Sequence, residues 1–169
     1  INFNMNLVIA TIIDIFLGAI IAVGWSILFN SPRKVVWIAA LLGGLGHSIR
    51  YLLAEGFGAH LVLATLAGTI TIGLLGIIFS RKADVPPVVF TMPACITMIP
   101  GMYAYHSMIG FIRIAETGLQ NPDPFLMAKT THYFVTTIAL LFTLSIGITL
   151  GSLLFRKKTP RKIELNLKD

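Results

Sequence analysis

Val85–Arg113 reads VPPVVFTMPACITMIPGMYAYHSMIGFIR. The stretch is longer than the ~20 apolar residues that cross the hydrocarbon of a bilayer. Yet Pro93 stands inside it and the pair Pro100-Gly101 follows. Proline removes a backbone donor and crowds the preceding turn, and glycine adds torsional freedom. Carbonyls freed in this way are costly against lipid, so the pattern predicts a span interrupted at Pro100-Gly101 that is buried in protein or lines a wet cavity. In transporters, interrupted spans are where substrates and coupling ions bind. The plainer reading is a proline kink in an ordinary packed helix, and the stretch alone leaves both open.

The rest of the chain forms the wall around this segment. Of its 169 residues 56% are hydrophobic and 12% charged, with a mean hydropathy of +0.85. A soluble domain carries about 25% charged residues, so the composition defines an all-α polytopic membrane protein. A barrel is excluded because the apolar runs are continuous and do not alternate. The single Cys95 rules out an internal disulfide and indicates no cysteine-based metal site. No cofactor or metal is implied. The net charge of +6 sits mostly at the ends of apolar runs, which is a topological pattern and not a nucleic-acid one. The first span lacks a basic leader and is too long for a signal-peptide core, so it reads as a retained helix. The chain begins at Ile1 without a methionine, leaving room for residues upstream.

Five spans follow from hydropathy: 6–29, 35–53, 61–79, the interrupted 88–112, and 131–155. Together they make a five-helix transmembrane domain over 1–155, with a basic tail at 156–169. Connections are short except Ala115–Lys129, where Gly118, Asn121, Pro122, Asp123 and Pro124 are expected to break any helix. Arg33, Lys34, Arg81, Lys82 and the six basic residues of the tail fall on one side. Arg113 and Lys129 fall on the other. The positive-inside rule then predicts an outside amino terminus and a cytoplasmic carboxyl terminus.

Small residues four apart let helices approach closely where lipid offers no hydrophobic drive. Such stripes are Asp14/Gly18/Ala22/Ser26, Ala39/Gly43, Ala40/Gly44, Ala64/Gly68, Thr69/Gly73 and Thr143/Gly147/Gly151. They mean packing, and they offer more contact surface than five spans need, which suggests partner subunits.

The ionisable residues inside the spans are a sharper signal, because each is costly in hydrocarbon unless paired or wet. Asp14 lies roughly 10 Å below the outer end of the first span and His47 roughly 9 Å below that of the second, at 1.5 Å per residue. Arg50, three residues from His47, shares its face. Opposite-running neighbours therefore put all three at one level. His106 and His132 also fall in the outer half. In a structural reading Asp14 pairs with Arg50, and carbonyls satisfy the histidines. In a functional reading Arg50 and the histidines attract a carboxylate while Asp14 or His47 changes protonation, histidine being the side chain that titrates near neutrality. Arg113, Lys129 and His132 read as solvated rim, and Tyr103 and Tyr105 as interfacial or packing aromatics, with lining of the path as the other reading.

The run Ile27–Arg33 (ILFNSPR), followed by Ala40–His47 (ALLGGLGH), resembles the threonine/serine exporter family. So do Val89-Phe90-Thr91 leading into Met98-Ile99-Pro100-Gly101, and Leu144-Ser145-Ile146-Gly147. The likeness covers nearly the whole chain and is closest to the short YjjB-type subunit, similar to the carboxyl-terminal half of single-chain members. It implies a half-transporter whose other half is a larger YjjP-type membrane chain. It also implies export of small carboxylates: succinate in the enterobacterial case, threonine or serine in single-chain members. Thr97-Met98-Ile99 and the extra Pro93 depart from the family pattern, and this bears on the substrate.

The expectation is a bacterial inner-membrane subunit of a secondary exporter of small carboxylates, not an enzyme. Arg50, His47, Pro100, Gly101 and Tyr103 are the substrate-facing candidates, and Asp14 and His47 the proton- or ion-coupling ones. Pro100 lies about 18 Å from the cytoplasmic end of its span, near mid-membrane. The partners expected are the YjjP-type chain, lipid and further copies of this chain. No GxxxxGK[ST] run is present, so the proton or electrical gradient, or the substrate's own gradient, would drive export. A channel and a purely structural subunit are the alternatives. An intramembrane enzyme is weaker, since Ser48 adjoins His47 but adjacent helix positions do not face each other.

Overall fold

The computed structural model describes residues 5–117 and 123–154. Among them there is no strand, and the helices run α1 (Met5–Leu28), α2 (Arg33–Tyr51), α3 (Leu61–Ala83), α4 (Val88–Ile96), α5 (Gly101–Thr117) and α6 (Pro124–Leu154). Four of the helical stretches are long and apolar enough to cross a membrane, or five if α4 and α5 are one bent span. The tail assigned to 156–169 lies outside the described residues.

The central element is α2, which packs against α1, α3 and α4, while α6 packs against α3 and α5. Small residues explain this arrangement. On α1 the buried positions include Gly18, Ala22 and Ser26, while Phe16, Leu17, Ile20 and Ile21 are exposed. At Gly44 a side chain would bring its Cβ to 2.8 Å from the Ile15 carbonyl, so only glycine allows the α1–α2 approach. On the other side, the Thr69 hydroxyl of α3 donates to the Thr143 carbonyl of α6 at 3.2 Å. Val35, Ile38, Leu42, Ile72, Phe90 and Met98 form the apolar core where α2, α3 and α4 meet.

Helix boundaries differ from the hydropathy reading most in two places. A π-turn at Leu52–Gly56 carries α2 further, so that Arg33–Gly56 forms one continuous candidate span. The second difference lies at the two ends of the Ala115–Lys129 connection: α5 runs on to Thr117 and α6 starts at Pro124. Proline is at home at the first helical position, where its missing N–H is not needed. Asp123 caps the helix, its Oδ1 accepting from the N–H groups of Phe125 (3.0 Å) and Leu126 (3.3 Å). Of the residues expected to break a helix, Asp123 and Pro124 are the cap and first residue of α6, while Gly118, Asn121 and Pro122 lie outside the described residues. At ~1.5 Å per residue, α6 is longer than the ~30 Å hydrocarbon thickness.

Candidate functional site

The α4–α5 span is broken at Thr97–Pro100 and bent by 57°. Its prolines free specific carbonyls, and their partners can be traced. Pro93 cannot donate to Val89 O, which instead accepts the Ser31 hydroxyl from the α1–α2 turn at 3.2 Å. Pro100 cannot donate to Ile96 O, which is taken by the Ile99 N–H at 3.1 Å. The Met98 N–H turns to Cys95 O (3.0 Å), and Ala94 O accepts the Thr97 hydroxyl at 2.7 Å. Met98 O accepts from Arg50 Nη1 at 3.2 Å. The expectation of carbonyls left open at the break is therefore not met at these five positions. Each is satisfied, as buried backbone groups must be.

Arg50 differs from the other donors in kind. A guanidinium has five N–H donors, and Met98 O takes one of them. The Asp14 carboxylate and the Tyr103 phenol lie within electrostatic reach of it. Asp14, however, pairs with His47, whose Nδ1 is 2.8 Å from Asp14 Oδ2, with 26% of the His47 and 15% of the Asp14 side chain exposed. The close approach of α1 and α2 sets up this pair. A Cβ on Gly18, one turn from Asp14, would sit 3.1 Å from His47 Cβ. The structural pairing considered from the sequence, Asp14 with Arg50, gives way to Asp14 with His47 and Arg50 with the main chain.

The structure brings some of the sequence-derived candidates together and leaves others apart. Asp14 and His47 meet directly, and Arg50 is on the same face of α2, reaching to the break. Pro100 is buried, whereas Gly101 is exposed, and a side chain added to Gly101 would meet nothing within 4 Å. Tyr103 is on α5, its ring 5.9 Å from that of Tyr133 on α6. Tyr133 also stacks on His106 at 5.1 Å.

Sequence reasoning assigned no role to Tyr133, and it read Arg113 and Lys129 as rim. All three line a cavity of about 410 Å³ between α5 and α6, away from the break. The signal was available: Tyr103, His106, Gly110 and Arg113 recur at spacings of three and four, one face of a helix. Among the described residues no group of His, Cys, Asp or Glu could hold a metal ion.

A bundle of apolar helices around a broken span with a polar layer at the break is the architecture of a polytopic membrane transporter. The sequence profile of the family described as Threonine/Serine exporter, ThrE, matches residues 14–154, and the chain belongs to that family. The match takes in Asp14, His47, Arg50 and Tyr103, and Tyr133 of the cavity as well. No solved structure matches the chain.

Proposed function

We propose that this chain is a subunit of a secondary exporter that carries small carboxylates, succinate-like dicarboxylates or threonine and serine, across the bacterial inner membrane with a YjjP-type partner. The carrying observation is the Arg50–Met98 hydrogen bond at the break, beside the Asp14–His47 pair. A carboxylate arriving at the break competes with Met98 O for the guanidinium. It competes well, since a bidentate arginine–carboxylate contact is stronger than a single bond to a neutral carbonyl. Once Arg50 turns to substrate, Met98 O loses its partner and the 57° bend loses one of its supports. The break is then the hinge whose movement passes the substrate on. Gly101, with open space beside it, lets a ligand approach the main chain closely. Protonating Asp14, or deprotonating His47, dissolves their pair and ties the same movement to a proton.

Radiolabelled succinate and L-threonine offered to inverted membrane vesicles test this, with and without the partner chain. The proposal expects accumulation of at least one of them that requires both chains and collapses with the proton gradient. Flux of neither, or flux without this chain, overturns it. Flux indifferent to the proton gradient supports a channel instead.

A further inference from the structure

The α5–α6 cavity has the size of a small-ligand site, and its walls have the chemistry of one. Arg113 and Lys129 bring fixed positive charge, and His106 a third nitrogen base. Among the described lining residues one carboxylate, Asp123, faces them, with one of its oxygens held by the first N–H groups of α6. The described lining therefore carries excess positive charge on side chains, independent of the helix terminus that Asp123 already caps. Ile109 and Leu126 supply apolar wall beside the cations. Short carbon chains bearing a carboxylate match that combination, since clefts of ~300–1,000 Å³ with few convergent polar groups bind small molecules.

The cavity is also joined to the break. Tyr103 meets Tyr133 at 5.9 Å and His106 stacks on the same ring at 5.1 Å, so three neighbouring rings join the cavity wall to Tyr103, which is within electrostatic reach of Arg50. Along α5 the distance from Tyr103 to Arg113 is roughly 15 Å at 1.5 Å per residue.

We infer that this cavity is a second binding site for a small carboxylate, held by Arg113 and Lys129 and separate from the layer at the break. It rests on the cavity and its charges and does not require the role proposed for Arg50. A soluble carboxylate is favoured over a lipid phosphate by the aromatic track towards the break, which a headgroup would not use.

Equilibrium binding of radiolabelled succinate and of L-threonine to the full chain in phosphatidylcholine nanodiscs tests it. Succinate or threonine should bind to wild type and to Arg50→Gln. Built into the Arg50→Gln chain, the double variant Arg113→Gln/Lys129→Gln should lose that binding by about tenfold in affinity, the size expected for charge-assisted hydrogen bonds. The charge-conserving pair Arg113→Lys/Lys129→Arg should keep most of it. Unchanged affinity in the double glutamine variant overturns the site, as does binding of neither compound to wild type. Displacement by phosphatidylglycerol mixed into the nanodisc would make the occupant a lipid and also overturn it. Loss of binding in Arg50→Gln alone would place the carboxylate at the break and remove the second site, leaving the proposed export function standing.

Discussion

Replacing Asp14 with asparagine keeps the shape of the side chain and removes the charge that His47 meets at 2.8 Å. With the carboxylate gone, protonation of His47 no longer completes an ion pair, so a proton no longer changes the α1–α2 contact. Asp14→Asn should therefore make residual flux insensitive to the proton gradient and lower it by about tenfold, the worth of a partly buried charged hydrogen bond. Succinate or threonine flux measured with and without an imposed pH step checks this. Arg50→Lys keeps a charge but loses the planar fork that fits a carboxylate. Its half-saturating substrate concentration should rise by about tenfold. The depth match of Asp14 with His47 and Arg50 was legible in the sequence, because depth only needs residues to be counted along two opposite helices. Which of the two Asp14 would choose was not legible. That depends on how closely α1 and α2 approach at Gly18 and Gly44, and a single-helix pattern does not contain that distance.

At the scale of the element, the break in α4–α5 follows from proline chemistry, and so it was readable from Pro93, Pro100 and Gly101 alone. The donors that repair it were not, since Ser31 and Arg50 come from distant turns of the chain. Restoring the missing donor with Pro100→Ala allows a bond from residue 100 to Ile96 O and should straighten the span. Spin labels at Val88 and Phe111 should then lie farther apart than in wild type, and flux should fall while the complex still assembles. At Gly44 the constraint is contact, with the Ile15 carbonyl 2.8 Å from any added Cβ. Gly44→Val should cost about 1–3 kcal/mol of stability, as overpacking does, seen as a lower melting temperature in detergent. The start of α6 escaped the sequence reading for a related reason: Pro124 breaks a helix in its interior but begins one at its first position.

For the whole molecule, the exposed face of α1 and the central position of α2 describe a bundle that meets lipid or partner chains on one side. Where α4 and α5 make one bent span, the five crossings put the α1–α2 and α3–α4 turns on one side of the membrane and the α5–α6 connection on the other. Cys95 is 1% exposed, so the natural thiol should stay unlabelled by a membrane-impermeant maleimide. Single cysteines at Lys82 and at Ala115 should then label from opposite faces, Lys82→Cys from the cytoplasmic one. Labelling of both from the same face would remove the bent span. The family and the helical class could be read from the order of short motifs and from composition, whereas the α5–α6 cavity appears only when two faces are brought together. The most direct test of the account is transport by Arg50→Gln reconstituted with the proposed YjjP-type chain into proteoliposomes. With assembly unchanged, the account predicts that carboxylate flux is lost. Flux equal to wild type would mean that Arg50 only supports the bent backbone at Met98, and that nothing polar passes there.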